Sequence, residues 1–299
     1  MLILNIKETL KLIRSKFIRQ NIDKIFALLP ISVFGLILFG INALLIYAVS
    51  IASTVIFDYL LNTYITNNDD FDYLESVAGG LFLAIMLPPT LPLYVVVIGA
   101  LFSVFVVRLF LKVDGGFLFP PVIVSRIFLQ LSFPTQMSTY LEPMSDVIAT
   151  ATPLSQGYYN IKEIILGVTS GCIGETSSIL IIIGGLYLLT VKLISWEIPV
   201  SIFASSLIIS IVMGENPLTY ICSGSLLISC FYFNLDSGII PGKRLGKVIF
   251  GVGCGLIIAF IRYTSIYPDG SAFAIVIMSL FVHLIDKIKI REKRDLNEN

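Results

Sequence analysis

Residues 25–61 read IFALLPISVFGLILFGINALLIYAVSIASTVIFDYLL, an apolar run near the start of the chain. The hydrocarbon core of a bilayer takes about 17–25 such residues per helix. Dividing the run at its helix-breaking residues predicts two membrane spans, near 25–41 and 43–61. The charged segment before them, residues 1–24, lacks the apolar stretch of a cleavable signal peptide. We therefore expect membrane insertion to begin with the first helix.

The rest of the chain continues in the same way. Of its 299 residues 56% are hydrophobic and only 13% are charged, a balance far from that of soluble domains. Eight further spans are predicted, near 75–88, 92–111, 120–134, 173–194, 198–213, 218–234, 246–262 and 271–286. The sequence thus predicts an all-α integral membrane protein of about ten transmembrane helices.

Two of the predicted spans are short and bounded by proline. One ends at Pro88 and Pro89, and another begins at Pro120 and Pro121. Proline interrupts helices, and broken helices are tolerated inside a membrane only where protein or a polar cavity satisfies the freed backbone groups. These spans predict half helices beside an interior site.

Lysine and arginine are concentrated in segments 7–24, 243–247 and 287–294. With ten crossings all three segments lie on one face, which the positive-inside rule assigns to the cytoplasm. The long polar connection near 134–171 then lies outside the cytoplasm. We expect a multi-pass protein of the bacterial cytoplasmic membrane with both termini cytoplasmic.

A weak internal repeat accompanies this plan. Gly116, Phe119 and Ser125 recur in the pattern GxxFxxxxxS at Gly270, Phe273 and Ser279. Each copy opens the last helix of a five-helix half, and halves with an odd number of helices must be inserted in opposite senses. The pattern favours two inverted repeats, with chance similarity between apolar helices as the alternative. The expected segments are 1–24 (cytoplasmic), 25–134 (first membrane half), 135–172 (extracytoplasmic loop), 173–286 (second half) and 287–299 (cytoplasmic tail).

Charge and cysteine content exclude several classes of function. The formal net charge is zero, which argues against nucleic acid as a partner. Four cysteines are scattered without CxxC spacing, and His283 is the only histidine. These residues do not supply the ligand set of a zinc or iron-sulfur centre, so we expect no metal cluster bound by this chain alone.

Several segments in order resemble a known family. They are residues 87–102 (LPPTLPLYVVVIGALF), 115–140 (GGFLFPPVIVSRIFLQLSFPTQMSTY), 145–157 (SDVIATATPLSQG), 171–199, 223–241, 246–262 and 267–286. Together they resemble RnfD, a membrane component of the Rnf electron transport complex, and, more distantly, NqrB of the sodium-pumping NADH:quinone oxidoreductase. The resemblance covers most of residues 81–286.

The resemblance implies FMN joined by a phosphoester to a threonine in an extracytoplasmic loop. The family motif is SxAT, often followed by ProLeu and preceded by Asp. Here Asp146, Thr150 and Thr152 stand in that region, and Thr152 is the implied acceptor. Ala149 replaces the motif serine that a flavin transferase would read. A second, non-covalent flavin (riboflavin) is also compatible with the resemblance.

Charged residues inside predicted spans are candidates for function, because a charge at the bilayer centre costs at least about 2.5–3.5 kcal/mol. Arg126 and Glu175 flank the loop and are predicted either to hold the flavin phosphate or reduced ring, or to form an interhelical ion pair. Asp236 is predicted to help hold a second flavin or a cation, although Leu235 replaces a family threonine beside it. Arg108 and Arg262 lie near span ends, which favours snorkelling over a role in a site.

The implied function is electron transfer across the membrane within a ferredoxin:NAD oxidoreductase complex that moves Na⁺ or H⁺. The implied partners are the other Rnf proteins, including the FMN-bearing RnfG and the cytoplasmic flavin and iron-sulfur protein RnfC, together with a flavin transferase and lipid. Three alternatives stay open: a quinone-reducing protein like NqrB, a non-redox transporter or channel with inverted repeats, and, if both cofactor positions are empty, a purely structural assembly component.

Overall fold

The structure is a computed structural model that describes residues 2–66, 72–113, 116–145, 147–149, 161–167, 169–175, 177–236, 238–264 and 269–287. These ranges are mostly helical. The helices are α1 (Leu2–Leu60), α2 (Tyr73–Ile85), α3 (Leu93–Leu101), α4 (Pro121–Ser132), α5 (Pro134–Met137), α6 (Ile161–Leu166), α7 (Ser178–Thr190), α8 (Glu197–Val212), α9 (Pro217–Cys222), α10 (Leu226–Tyr232), α11 (Arg244–Thr264) and α12 (Ser271–Lys287). Turns of π-helix, Leu61–Thr66 and Phe102–Arg108, extend α1 and α3, and a 3₁₀ turn, Phe233–Asp236, extends α10.

The first helix is broken at Gly40, whose φ of 55° and ψ of −129° lie outside the helical region. Tyr47 donates its hydroxyl to the Ser32 carbonyl at 3.2 Å. In a straight helix those residues would be about 22 Å apart. The chain therefore reverses at Gly40, where a positive φ costs glycine little. This break lies at the end of the first predicted span, 25–41, and just before the second, 43–61.

The apolar segments differ in length. Within the described residues, Phe17–Thr66 and Arg244–Thr264 are long and apolar enough to cross a membrane, and five further apolar helical stretches are shorter. The short α4 has 12 residues and spans about 18 Å, against a hydrocarbon core of about 30 Å. It begins at Pro121, as the paired prolines predict, because proline fits the first turn of a helix.

The span predicted at 218–234 is not one helix. It divides into α9 and α10 around Ser223, Gly224 and Ser225. Ser223 is extended (ψ 140°) and Gly224 has a φ of 70°, a conformation that suits glycine. The apolar pattern predicted the span but not this interruption, which places two serines inside the helical layer.

Small residues bring the helices close together. A Cβ added at Gly80 of α2 would lie 2.8 Å from the Cα of Ile51 and 3.1 Å from the carbonyl oxygen of Ser50, both on α1. Ser50 donates its hydroxyl to the Gly80 carbonyl at 2.7 Å. Apolar side chains gain little free energy by moving from lipid into a protein interface. Close backbone packing and interhelical hydrogen bonds therefore hold such helices together.

Two short hairpins connect the helices. Strand β1 (Lys112–Val113) pairs with β2 (Gly116–Phe117), and β3 (Tyr140–Leu141) pairs with β4 (Ile148–Ala149). Phe117 also forms a bridge to Gly238, which brings the segment before α4 against the segment before α11.

Candidate functional site

The loop with the predicted flavin acceptor leaves the β3–β4 hairpin. Asp146, Thr150 and Thr152 lie outside the described residues, so their roles stay predictions. Two hydrogen bonds attach the hairpin, and the residue just before it, to the rest of the protein. The Met144 amide donates to the Leu38 carbonyl at 2.9 Å, and the Thr90 hydroxyl donates to the Thr139 carbonyl at 2.5 Å.

Arg126 and Glu175 meet in the structure. Arg126 of α4 places Nη2 2.8 Å from Oε1 of Glu175 and 3.3 Å from Oδ2 of Asp269. The three side chains are only 6%, 9% and 14% exposed. The ion pair that the sequence left open is therefore present, and Asp269 joins it.

Two nitrogen atoms of the Arg126 guanidinium remain as unused hydrogen-bond donors. Its Nε and Nη1 are buried and have no hydrogen-bond partner among the described residues. An unsatisfied buried donor costs about 1–3 kcal/mol, and more if it is charged. These two N–H groups suit acceptor oxygens such as those of a phosphate or a flavin carbonyl, so the residue fits the group predicted for the adjoining loop.

Tyr140 and Cys172 complete the surroundings of Arg126. The Sγ of Cys172 lies 3.7 Å from Nη2 of Arg126. Tyr140, on the hairpin, is close enough to interact electrostatically with Arg126, and burial raises its pKa well above the ordinary value. Its phenol therefore remains protonated. In the part of the chain that the structure describes, no three His, Cys, Asp or Glu side chains converge as metal ligands.

Asp269 connects Arg126 to the break between α9 and α10. Its carboxylate accepts hydrogen bonds from the hydroxyls of Ser225 and, at 2.9 Å, Ser271. The hydroxyl oxygens of these two serines also lie in close contact with each other. Asp269 was not among the predicted site residues. Its position directly before a predicted span, next to Gly270, was the available signal.

Asp236 lies apart from this cluster, at the start of α4. Its carboxylate accepts hydrogen bonds from the amides of Val122 and, at 3.4 Å, Ile123. Negative charge at a helix N-terminus is stabilised by free amides and by the helix dipole. The structure thus shows that Asp236 caps the N-terminus of α4, the same helix that carries Arg126.

Arg108 does not snorkel, contrary to the expectation from its place near a span end. Its Nη1 lies 2.8 Å from Oδ2 of Asp58, and the two side chains are 13% and 3% exposed. Asp58 was missed, although a carboxylate inside the predicted span 43–61 was a visible signal. The pair joins α1 to the π-helical turn after α3.

Arg262 also binds within the protein. It donates to the carbonyls of Tyr220 at 2.6 Å and Ser223 at 2.9 Å, and its guanidinium lies 4.5 Å from the centre of the Tyr220 ring. The expectation of snorkelling was therefore wrong here too. The carbonyls at the end of α9 have no helical N–H partner, and Arg262 supplies donors for them inside the protein.

A small cavity adjoins Asp236 and Arg108. It is also lined by Lys24 and Glu75, and it has room for about one water molecule. That size is too small for a second flavin. Lys24, which the sequence assigned to the cytoplasmic segment, therefore reaches into the helical layer.

The chain is similar to known proteins over most of its length. Residues 14–294 match the model of the NQR2, RnfD, RnfE family. Over 290 residues the chain is 33% identical to the D component of the proton-translocating ferredoxin:NAD(+) oxidoreductase complex of Clostridium ljungdahlii, covering 87% of this chain and 86% of the relative. It is 32% identical over 284 residues to the D component of the Na(+)-translocating complex of Acetobacterium woodii, covering 90% and 87%. The chain therefore belongs to the NQR2, RnfD, RnfE family.

Proposed function

We propose that this chain carries FMN covalently bound to Thr152 and passes electrons across the membrane as the RnfD component of an ion-translocating ferredoxin:NAD oxidoreductase. The names of its relatives support the complex, since those proteins are D components of proton- or Na⁺-translocating ferredoxin:NAD oxidoreductases. When bound, FMN would supply one- and two-electron chemistry. The other Rnf proteins, RnfG and RnfC among them, would supply the exchange with soluble electron carriers, and a flavin transferase would attach the cofactor.

The observation that carries the flavin proposal is the state of Arg126. Two of its N–H groups are buried without partners among the described residues, and Tyr140 beside it belongs to the hairpin from which the Thr152 loop departs. Arg126 would donate these N–H groups to oxygens of the flavin or its phosphate, the geometry for which a guanidinium is suited. Glu175 and Asp269 would keep the guanidinium in position.

We further propose ten membrane helices in two inverted halves, 25–134 and 173–286, in the cytoplasmic membrane with both termini inside. With the two arms of α1 counted separately, α9 and α10 counted as one interrupted helix, and the short helices α5 and α6 left out, the described helices number ten. The repeat extends at a constant offset of 154 residues from Gly99 to Gly253 and from Arg108 to Arg262. Gly99 packs against Ser125 and Leu129 of α4, and Gly253 packs against Met278 of α12.

Thr152→Ala tests the covalent bond. In cells that contain a flavin transferase, we expect the denatured wild-type protein to fluoresce yellow-green in a gel under ultraviolet light. Thr152→Ala should be dark, whereas Thr150→Ala, the matched threonine in the same loop, should fluoresce like the wild type. Mass spectrometry of the loop peptide should show the added mass of FMN on Thr152.

A wild-type band that is dark at full expression, with the transferase present, would overturn the flavin proposal. Fluorescence that persists in Thr152→Ala and disappears in Thr150→Ala would move the acceptor to the other threonine. A tag on the C-terminus should be protected from protease in intact spheroplasts, and cleavage there would contradict the proposed orientation.

A further inference from the structure

A groove opens beside the hairpin that leads to Thr152. It has a volume of about 440 Å³ and lies between the second arm of α1, residues 89–93 and Leu141 of β3. A neighbouring cavity of about 330 Å³ shares Asn42 and Leu141 with it and extends past Gly40 to Met144. Both volumes are in the range of small-molecule sites, about 300–1,000 Å³.

The groove has apolar walls and two polar residues, Thr90, whose hydroxyl is already bonded to the Thr139 carbonyl, and Asn42. The walls are formed by leucine, isoleucine and proline side chains, namely Leu45, Ile46, Pro89, Leu91, Pro92, Leu93 and Leu141. Asn42 also lines it, and no hydrogen bond of its amide is found within the described ranges. An amide offers both a donor and an acceptor. A flat, largely apolar ring with an alternating donor and acceptor edge matches this lining.

The groove is within reach of the acceptor. Ala149 is paired with Tyr140, and paired Cα atoms in antiparallel strands are about 4.5–5.5 Å apart. Thr152 follows Ala149 by three residues, which span at most about 11 Å. Its Cα is thus no farther than about 16 Å from that of Tyr140, the neighbour of Leu141, and the ribityl phosphate adds further reach.

We infer that this groove is the docking site of the isoalloxazine ring of the FMN carried on Thr152, with the pyrimidine edge at Asn42. The inference rests on the proposed function. The two bonds that attach the hairpin, from Thr90 to Thr139 and from Met144 to Leu38, hold the start of the loop against the groove. The groove opens to the outside of the protein, so the docked ring can exchange electrons with a carrier on a neighbouring protein of the complex.

Leu45 and Leu44 provide a matched test. They are adjacent on α1 and similarly exposed, at 43% and 49%, but of the two only Leu45 lines the groove. In the flavinylated complex we would measure quenching of flavin fluorescence by iodide for Leu45→Trp, Leu44→Trp and Asn42→Leu. Because tryptophan at 45 fills the groove and displaces the ring, its quenching constant should rise about threefold or more, while Leu44→Trp should match the wild type. Asn42→Leu should also raise it, by a smaller factor.

Mass spectrometry of the same samples separates the two ways of failing. Full flavinylation with equal iodide quenching in all variants would overturn the docking site and leave the proposed function intact. This result is also the one expected if a lipid chain occupies the groove. Absence of flavin from wild-type Thr152 would overturn the proposed function and the docking site with it.

Discussion

Replacing Arg108 with methionine would leave the carboxylate of Asp58 buried without its partner. The two side chains are 13% and 3% exposed and their charged atoms are 2.8 Å apart. Removing one member of a buried ion pair costs about 3–5 kcal/mol. At about 2–4 °C per kcal/mol, the melting temperature should fall by roughly 6–20 °C.

The double variant Asp58→Leu with Arg108→Met should recover most of that loss, because an apolar pair of similar volume avoids the desolvation of both charges. The measurement is thermal unfolding of the purified protein in detergent, followed by size-exclusion chromatography. Arg244→Met is the control. Arg244 also pairs with a carboxylate, Glu197 at 3.4 Å, but its side chain is 85% exposed, so its removal should cost less than about 1 kcal/mol.

Two results would refute this reasoning. One is Arg108→Met melting within about 2 °C of the wild type, a change of less than about 1 kcal/mol, which would mean that water or another cation compensates Asp58. The other is a double variant as unstable as the single one, which would mean that packing and not charge governs the site.

Two further changes test the packing and the half helix. Gly80→Ala should destabilise the protein by about 1–3 kcal/mol, because its Cβ would lie 2.8 Å from the Cα of Ile51, whereas Gly242→Ala, with nothing within 4 Å, should be neutral; equal melting temperatures would contradict the close contact. Asp236→Ala should lower the free energy of unfolding by about 1–2 kcal/mol and speed amide hydrogen exchange at the start of α4. Asp236→Asn keeps an acceptor oxygen, so its effect should be smaller. Slow exchange in both variants would show that the carboxylate does not stabilise that end of the helix.

The candidate site was only partly predictable. Arg126, Glu175 and Asp236 could be selected because charge is costly inside an apolar run. Their partners could not be assigned, since Asp236 lies 114 positions from Val122, whose amide donates to it, and no local rule spans that distance. Asp58 was within reach of the same rule and was overlooked.

The length of the apolar runs and the paired prolines before α4 were enough to predict a helical membrane protein with short helices. The bilayer thickness sets how long an apolar run must be, and the proline ring limits where a helix can continue, so both can be read from neighbouring residues. The segments that resemble the family, and the order in which they follow one another between residues 87 and 286, were enough to indicate it. Only the tertiary structure decided that Arg126 faces Glu175 and Asp269, that Arg108 pairs with Asp58, and that a groove opens beside the hairpin. Such contacts depend on how distant helices pack, and in a membrane that packing is set by close backbone approach and buried polar pairs, which the apolar pattern of a single segment does not encode.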